Sequence, residues 1–172
     1  NTINCVYFDR YGRLWLGTNK GISVSNPTRE QFVQRFLPHE PGASPITIYD
    51  FHKADNGELW IGTSEGIFIE KENTAGYRHI PLTFQGTRLA VTRFFRDSRG
   101  QYYLGTNYSL FRYDPLSARI SLLPNTDKDK VMNKIIESRV VSVVELNLDN
   151  KPVLLVSPYV HYLAYYDLNE QK

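Results

Sequence analysis

Asp55-Asn56-Gly57-Glu58-Leu59-Trp60-Ile61-Gly62-Thr63, followed two residues later by Gly66-Ile67, has two counterparts in the same chain. One is Asp9-Arg10-Tyr11-Gly12-Arg13-Leu14-Trp15-Leu16-Gly17-Thr18 with Gly21-Ile22. The other is Asp97-Ser98-Arg99-Gly100-Gln101-Tyr102-Tyr103-Leu104-Gly105-Thr106 with Ser109-Leu110. Trp15 and Trp60 stand 45 residues apart and Tyr103 follows after 43, and Gly12, Gly57 and Gly100 keep the same steps. A fixed period of this length is the mark of a repeat architecture. A fourth copy is expected at Asp149-Asn150-Lys151-Pro152-Val153-Leu154-Leu155-Val156-Ser157, which keeps the Asp-Asn turn and the apolar strand but lacks the Trp and both glycines.

Each unit reads as strands joined by turns. Apolar stretches at Ile3 to Phe8, Ile46 to Phe51 and Leu89 to Phe95 precede the Asp/Gly cluster. That cluster is hairpin chemistry: Asp bonds its own backbone and Gly accepts a positive φ. The Leu-Trp-Leu-Gly-Thr run is a second strand, and its Gly (Gly17, Gly62, Gly105) suits a place where a neighbouring sheet comes close. A third strand such as Gly66 to Glu70 or Leu110 to Asp114 follows another tight turn. A more polar fourth lies at Phe32 to Leu37, Tyr77 to Ile80 and Ile120 to Leu123. Four antiparallel strands per repeat make the blade of a β-propeller. The expected fold is therefore all-β, an arc of about four four-stranded blades, with units about 1–45, 46–88, 89–137 and 138–172. The last blade, with strands near Val140 to Leu146, Val153 to Val156 and Tyr162 to Asp167, lacks its outer strand. The whole reads as a piece of one larger propeller domain. Asp127 to Ser138 interrupts the pattern and reads as either a short helix or a polar loop.

Composition fits a globular chain: of 172 residues, 41% are hydrophobic and 22% charged. The net charge of +2 gives no basic face for nucleic acid. One cysteine, Cys5, forms no disulfide framework and no cysteine zinc cluster within the chain, and its strand position makes it a buried small hydrophobe. No apolar run approaches the length of a membrane span.

The repeats resemble the two-component regulator propeller repeat: an apolar strand, Asp-x-x-Gly-x-Leu-Trp-Ile-Gly-Thr, two residues, then Gly-Leu or Gly-Ile. The resemblance covers roughly residues 1 to 115 well. It extends to the opening Asn1 to Tyr7 and to Gln31 to Phe36 with Gly42-Ala43-Ser44. It implies the periplasmic part of an inner-membrane hybrid two-component sensor, a histidine kinase homodimer with further blades, whose ligands are oligosaccharides and whose output is signal transduction. It implies no cofactor and no enzymatic activity in the propeller itself.

The residues themselves add candidates and remove others. Gly62-Thr63-Ser64-Glu65-Gly66 has the spacing of a nucleophile elbow, but that motif needs a strand-to-helix turn, and the first unit lacks the Ser. The Asp-x-Gly-x-x-Trp at Asp55 to Trp60 is shared with sialidase hairpins and is turn chemistry. No carboxyl pair marks a glycosidase. His39, His52, His79 and His161 lack metal spacing and read as surface or turn residues. Among the many tyrosines, blade packing claims most, and Tyr103 replaces the repeat Trp. Tyr108 and Tyr159 fall in turns and are candidate ligand contacts, because aromatic faces stack on sugar rings. Arg88, Arg93 and Arg96 flank the inner strand of the third unit, where a cation could meet an acidic sugar or simply be solvated. Two rivals to the sensor stand beside it: a scaffold that binds a protein partner through its loops and, third, a propeller glycosidase.

Overall fold

The structure is a computed structural model that describes residues 2–26, 31–70, 76–126, 128, 130, 137–159 and 163–172. The described chain is built almost wholly from strands and forms two compact units, Asn1–Val91 and Thr92–Lys172. Most of Asp127 to Ser138, together with His161 and Tyr162, lies outside the described residues.

The first unit holds two four-stranded antiparallel sheets in chain order. One contains β1 (Ile3–Phe8), β2 (Leu14–Thr18), β3 (Gly21–Asn26) and β4 (Gln31–Arg35). The other contains β5 (Ile48–Lys53), β6 (Leu59–Thr63), β7 (Gly66–Glu70) and β8 (Tyr77–Ile80). A small hairpin, β9 (Thr83–Phe84) and β10 (Thr87–Arg88), follows. Gln85 and Gly86 at its tip both have positive φ, as a two-residue hairpin turn requires. The second unit holds β11 (Val91–Arg96), β12 (Tyr102–Thr106), β13 (Leu110–Asp114) and β14 (Arg119–Leu122) in one sheet. A three-stranded sheet completes it: β15 (Val140–Leu148), β16 (Lys151–Pro158) and β17 (Ala164–Asp167). This is the all-β, blade-by-blade organisation expected from the repeat.

Register shows why the repeat has its composition. Tyr7, Trp15 and Val24 stand in one cross-strand row and face the second sheet, and Trp15 packs in a core with Ile22, Ile46, Ile48, Leu59, Ile61 and Phe68. Gly17 lies where that sheet comes nearest. A Cβ there would sit 2.4 Å from Cys5 Sγ and 2.7 Å from Ile48 Cγ2. Cys5 is half-buried against this core, so its thiol fills space that the missing side chain leaves. In the second unit Gly105 has the same part, with Val140 Cγ1 3.0 Å from where its Cβ would be. There Tyr103 packs with Leu110, Val140, Val143, Leu154 and Tyr166.

A carboxylate holds each repeat ring at its polar tip. Trp15 Nε1 donates to Asp9 Oδ2 at 3.0 Å, and Tyr103 Oη donates to Asp97 Oδ2 at 3.1 Å. The same two Asp residues fold the turn: Asp9 Oδ1 accepts the N–H groups of Tyr11 and Arg13, and Asp97 Oδ1 those of Arg99 and Gln101. The second sheet differs from its sequence reading. Gly12, Gly57 and Gly100 donate their N–H to Asp9, Ala54 and Asp97 respectively, so Ala54, not Asp55, holds the hub position. Asn56 Oδ1 caps Glu58 N–H instead, and Glu58 Oε2 receives Trp60 Nε1 at 3.3 Å. A carboxylate reaches the ring from a backbone position four residues later.

Asp9 carries a consequence for pH. Burial works against its charge, but hydrogen bonds from Trp15 and Arg13 outweigh it and hold the carboxyl below its ordinary value. A depressed folded value means that its stabilisation is complete above the ordinary aspartate value of about 4 and is lost as pH falls through the lower folded one. The gap in urea midpoint between the native chain and Asp9→Asn is therefore expected to shrink as pH is lowered from 7 to 2. A gap independent of pH would contradict it.

Candidate functional site

The buried Thr of each Leu-Trp-Leu-Gly-Thr run builds a constant turn. Thr18 Oγ1 donates to Gly21 O at 2.8 Å, Thr63 to Gly66 O at 3.0 Å and Thr106 to Ser109 O at 2.8 Å. Each hydroxyl also accepts the backbone N–H two residues on, from Lys20, Glu65 and Tyr108 in turn. The scaffold is the same three times, and the group displayed is an ammonium, a carboxylate and a phenol. Constant backbone with variable side chains is the arrangement in which loops carry function. The shared place of these threonines in the repeat is the signal for their role, and the same turn position singled out Tyr108 in the sequence.

In the first unit this end of the sheets carries a cleft of about 300 Å³. Its wall is mostly apolar, made by Gly21, Phe36, Leu37, Pro45 and Ile46, with Lys20 and His39 as its polar members. Leu37 and Ile46 are buried, whereas the Phe36 ring is 65% exposed. Gly21 has a φ of +117°, and a Cβ there would lie 3.5 Å from the Phe36 ring and 3.3 Å from Arg35 O. His39 Nδ1 lies 3.2 Å from Leu37 O, which orients the imidazole. Sequence reading placed Phe36 in a strand and missed this cleft.

Arg88 lies on β10 and is paired with Glu65 in the neighbouring turn. The Glu65 carbonyl also meets His79 Nε2 at 2.7 Å, and the His79 ring stacks on Phe68 with centroids 4.2 Å apart. In the second unit Tyr108 is half-buried, and Tyr159 is 67% exposed with Arg139 Cζ 5.4 Å from its ring centroid. Both belong to one end of their sheets, because Val140 pairs with Pro158 and lies against Gly105. Arg93 donates to Val141 O at 3.1 Å and so ties β11 to β15. Arg96 sits at the opposite end of β11, beside Gly100, with its guanidinium 5.2 Å from the Tyr102 ring centroid. Tyr108 and Tyr159 thus share an end from which Arg96 is absent. Among the described residues no group of three His, Cys, Asp or Glu could hold a metal ion.

Residues 1–20 match the two component regulator propeller family. No curated protein sequence matches the chain significantly. Among solved structures it is similar to the extracellular domain of the hybrid two component system BT3049 from B. thetaiotaomicron, with a TM-score of 0.71 and 19% identity over 99% of this chain and 21% of that one. The extracellular domain of the one component system BT4673 from the same organism gives 0.69 and 16% identity over 92% and 20%. The chain therefore spans about a fifth of the length of these neighbours. Its opening residues match a two component regulator propeller repeat, and its all-β fold is similar to that of extracellular domains of B. thetaiotaomicron signalling systems.

Proposed function

We propose that this chain is part of the extracytoplasmic, periplasmic ligand-sensing region of a membrane-anchored hybrid two-component sensor, and that the ligand is an oligosaccharide. The observation that carries this reading is the cleft beside Lys20. There an exposed Phe36 ring and an apolar floor adjoin a cation on a turn whose scaffold recurs along the chain. A flat apolar ring edged by polar donors suits the face of a sugar, which is apolar on its C–H side and polar at its rim. Tyr159 offers a second exposed ring in the other unit. The propeller binds and reports, the kinase chemistry belongs to another part of the whole protein, and the signal passes through a homodimer.

Calorimetry of the whole ectodomain against a glycan panel tests this. A glycan should bind, and Phe36→Ala and Tyr159→Ala should each weaken it roughly 2- to 10-fold, the loss of one aromatic contact. Binding of a protein partner with no glycan bound would replace the reading by that of an interaction scaffold.

A further inference from the structure

One turn shape recurs three times, and only one copy carries a charge that the described residues leave unanswered. Two residues past the Thr stand Lys20, Glu65 and Tyr108. Tyr108 offers a phenol. The Glu65 carboxylate is paired with Arg88, which β10 brings to it, and the Glu65 carbonyl accepts from His79 Nε2 at 2.7 Å. That turn is also covered, since a Cβ on Gly66 would lie 2.5 Å from Ile80 O and 3.2 Å from Leu82 N. Lys20 differs on both counts. Among the described residues no carboxylate pairs with its ammonium, and the glycine beside it, Gly21, opens on the cleft with Phe36 and Leu37.

The wall of the cleft decides what answers that charge. Gly21, Phe36, Leu37, Pro45 and Ile46 are apolar, and neither Asp nor Glu lines it. Charges that meet against apolar walls attract more strongly than in open water. His39 supplies the other polar group. Leu37 O can only accept, so the Nδ1 that meets it at 3.2 Å carries the proton, and in the neutral ring Nε2 remains as an acceptor for a hydroxyl. Exposed ring, ammonium and imidazole acceptor match three parts of one molecule: the C–H face of a sugar, an anionic group on its rim and a ring hydroxyl. A volume of about 300 Å³ is at the small end for a ligand cleft, so it takes one end of a glycan rather than its length.

We propose that this cleft selects acidic oligosaccharides: a terminal sugar bearing a carboxylate or sulfate lays its C–H face on Phe36 and sets the anion against Lys20. The proposal rests on the oligosaccharide-sensing reading above and narrows it from glycans in general to anionic ones. A lysine is a compact point charge with three rotatable donors, so it takes either anion without the planar two-pronged geometry that suits an arginine. The arginines that the sequence offered for an acidic sugar are engaged elsewhere. Arg88 is paired with Glu65, Arg93 donates to Val141 O, and the Arg96 guanidinium lies over the Tyr102 ring.

The test is calorimetry of the whole ectodomain against a panel in which each acidic oligosaccharide is matched with its carboxyl-reduced or desulfated form. An acidic member should bind, and its neutralised form should bind at least about 10-fold more weakly, the worth of a hydrogen bond to a charged group. The treatment that weakens binding tells carboxylate from sulfate. Lys20→Gln should bring the acidic glycan down to the affinity of its neutralised form, while Lys20→Arg keeps most of the difference. Lys20 is exposed, so both variants should melt with the native protein. A neutral glycan that binds best, or an acidic preference that survives Lys20→Gln, would overturn the proposal and leave the sensing reading standing. If no glycan binds at all, both fall together.

Discussion

Trp15→Ala is expected to destabilise the fold by on the order of 3–5 kcal/mol. The indole is 2% exposed and lies in the seam between the first two sheets. Phe51 meets it edge-on from β5, with centroids 6.3 Å apart and planes at 70°. The guanidinium groups of Arg13 and Arg35 lie 5.5 and 5.3 Å from its ring centre, and Arg35 reaches across the seam to Glu70 at 2.6 Å. Truncation therefore leaves a cavity between two sheets, removes a donor from Asp9 and frees two cations from a ring face. Backbone ladders on both sides oppose collapse into the void. Urea denaturation followed by far-ultraviolet circular dichroism should show a lower midpoint with an unchanged slope. A loss below about 1 kcal/mol would mean that the ring does not fill this seam.

Gly17→Val should come next. Even the first added carbon would overlap Cys5 Sγ and Ile48 Cγ2, and Ile48 is fully buried in the facing strand, so the contact cannot be relieved by rotation into solvent. Overpacking of this kind costs about 1–3 kcal/mol, and the valine belongs at or above the upper end. Ile48→Ala in the same chain should recover part of the loss, giving strong non-additivity between neighbours. Gly105→Ala should cost less than Gly17→Ala, because its nearest contacts are 3.0 Å to Val140 and 3.1 Å to Arg93. Equal costs in equilibrium unfolding, or a neutral Gly17→Ala, would show that the sheets are not held at these glycines.

These residues also mark where sequence reading succeeded and where it stopped. The strands followed from the period because Gly17 with Trp15, and Gly105 with Tyr103, each meet the next sheet in the same way, so local pattern and packing agree. Gly66–Glu70, Tyr77–Ile80 and Leu110–Asp114 came out at their observed limits. Blade four lost its glycines without losing its turn, since Asp149 and Asn150, with φ of 51° and 64°, are the residues that tolerate the left-handed region best after glycine. The hub in the second sheet was misaligned, because residue type suggested Asp55 while the backbone places Ala54 there. The constraint is a carboxylate at the polar tip of the ring, and the longer Glu58 side chain meets it from elsewhere. The β9–β10 hairpin was missed as well, being only two residues on each side. Of the candidate site, the turn position of Tyr108 was legible from the repeat. The Phe36 cleft was not, for its shape depends on how a twelve-residue connection from Phe36 to Thr47 folds back against Gly21.

The paired locks at the two ends of β2 and of β12 have a mechanical meaning. In the first sheet the Asp9 carboxylate closes one end of β2 and the Thr18 hydroxyl the other, and the third sheet is closed in the same way by Asp97 and Thr106. A strip clamped at both ends resists bending along its length. A load applied at Lys20 or Tyr108 would therefore meet a strand stiffened at both ends, close-packed against the next sheet at Gly17 or Gly105. The stiffness of such a strand then comes from one side chain at each end as well as from the ladder.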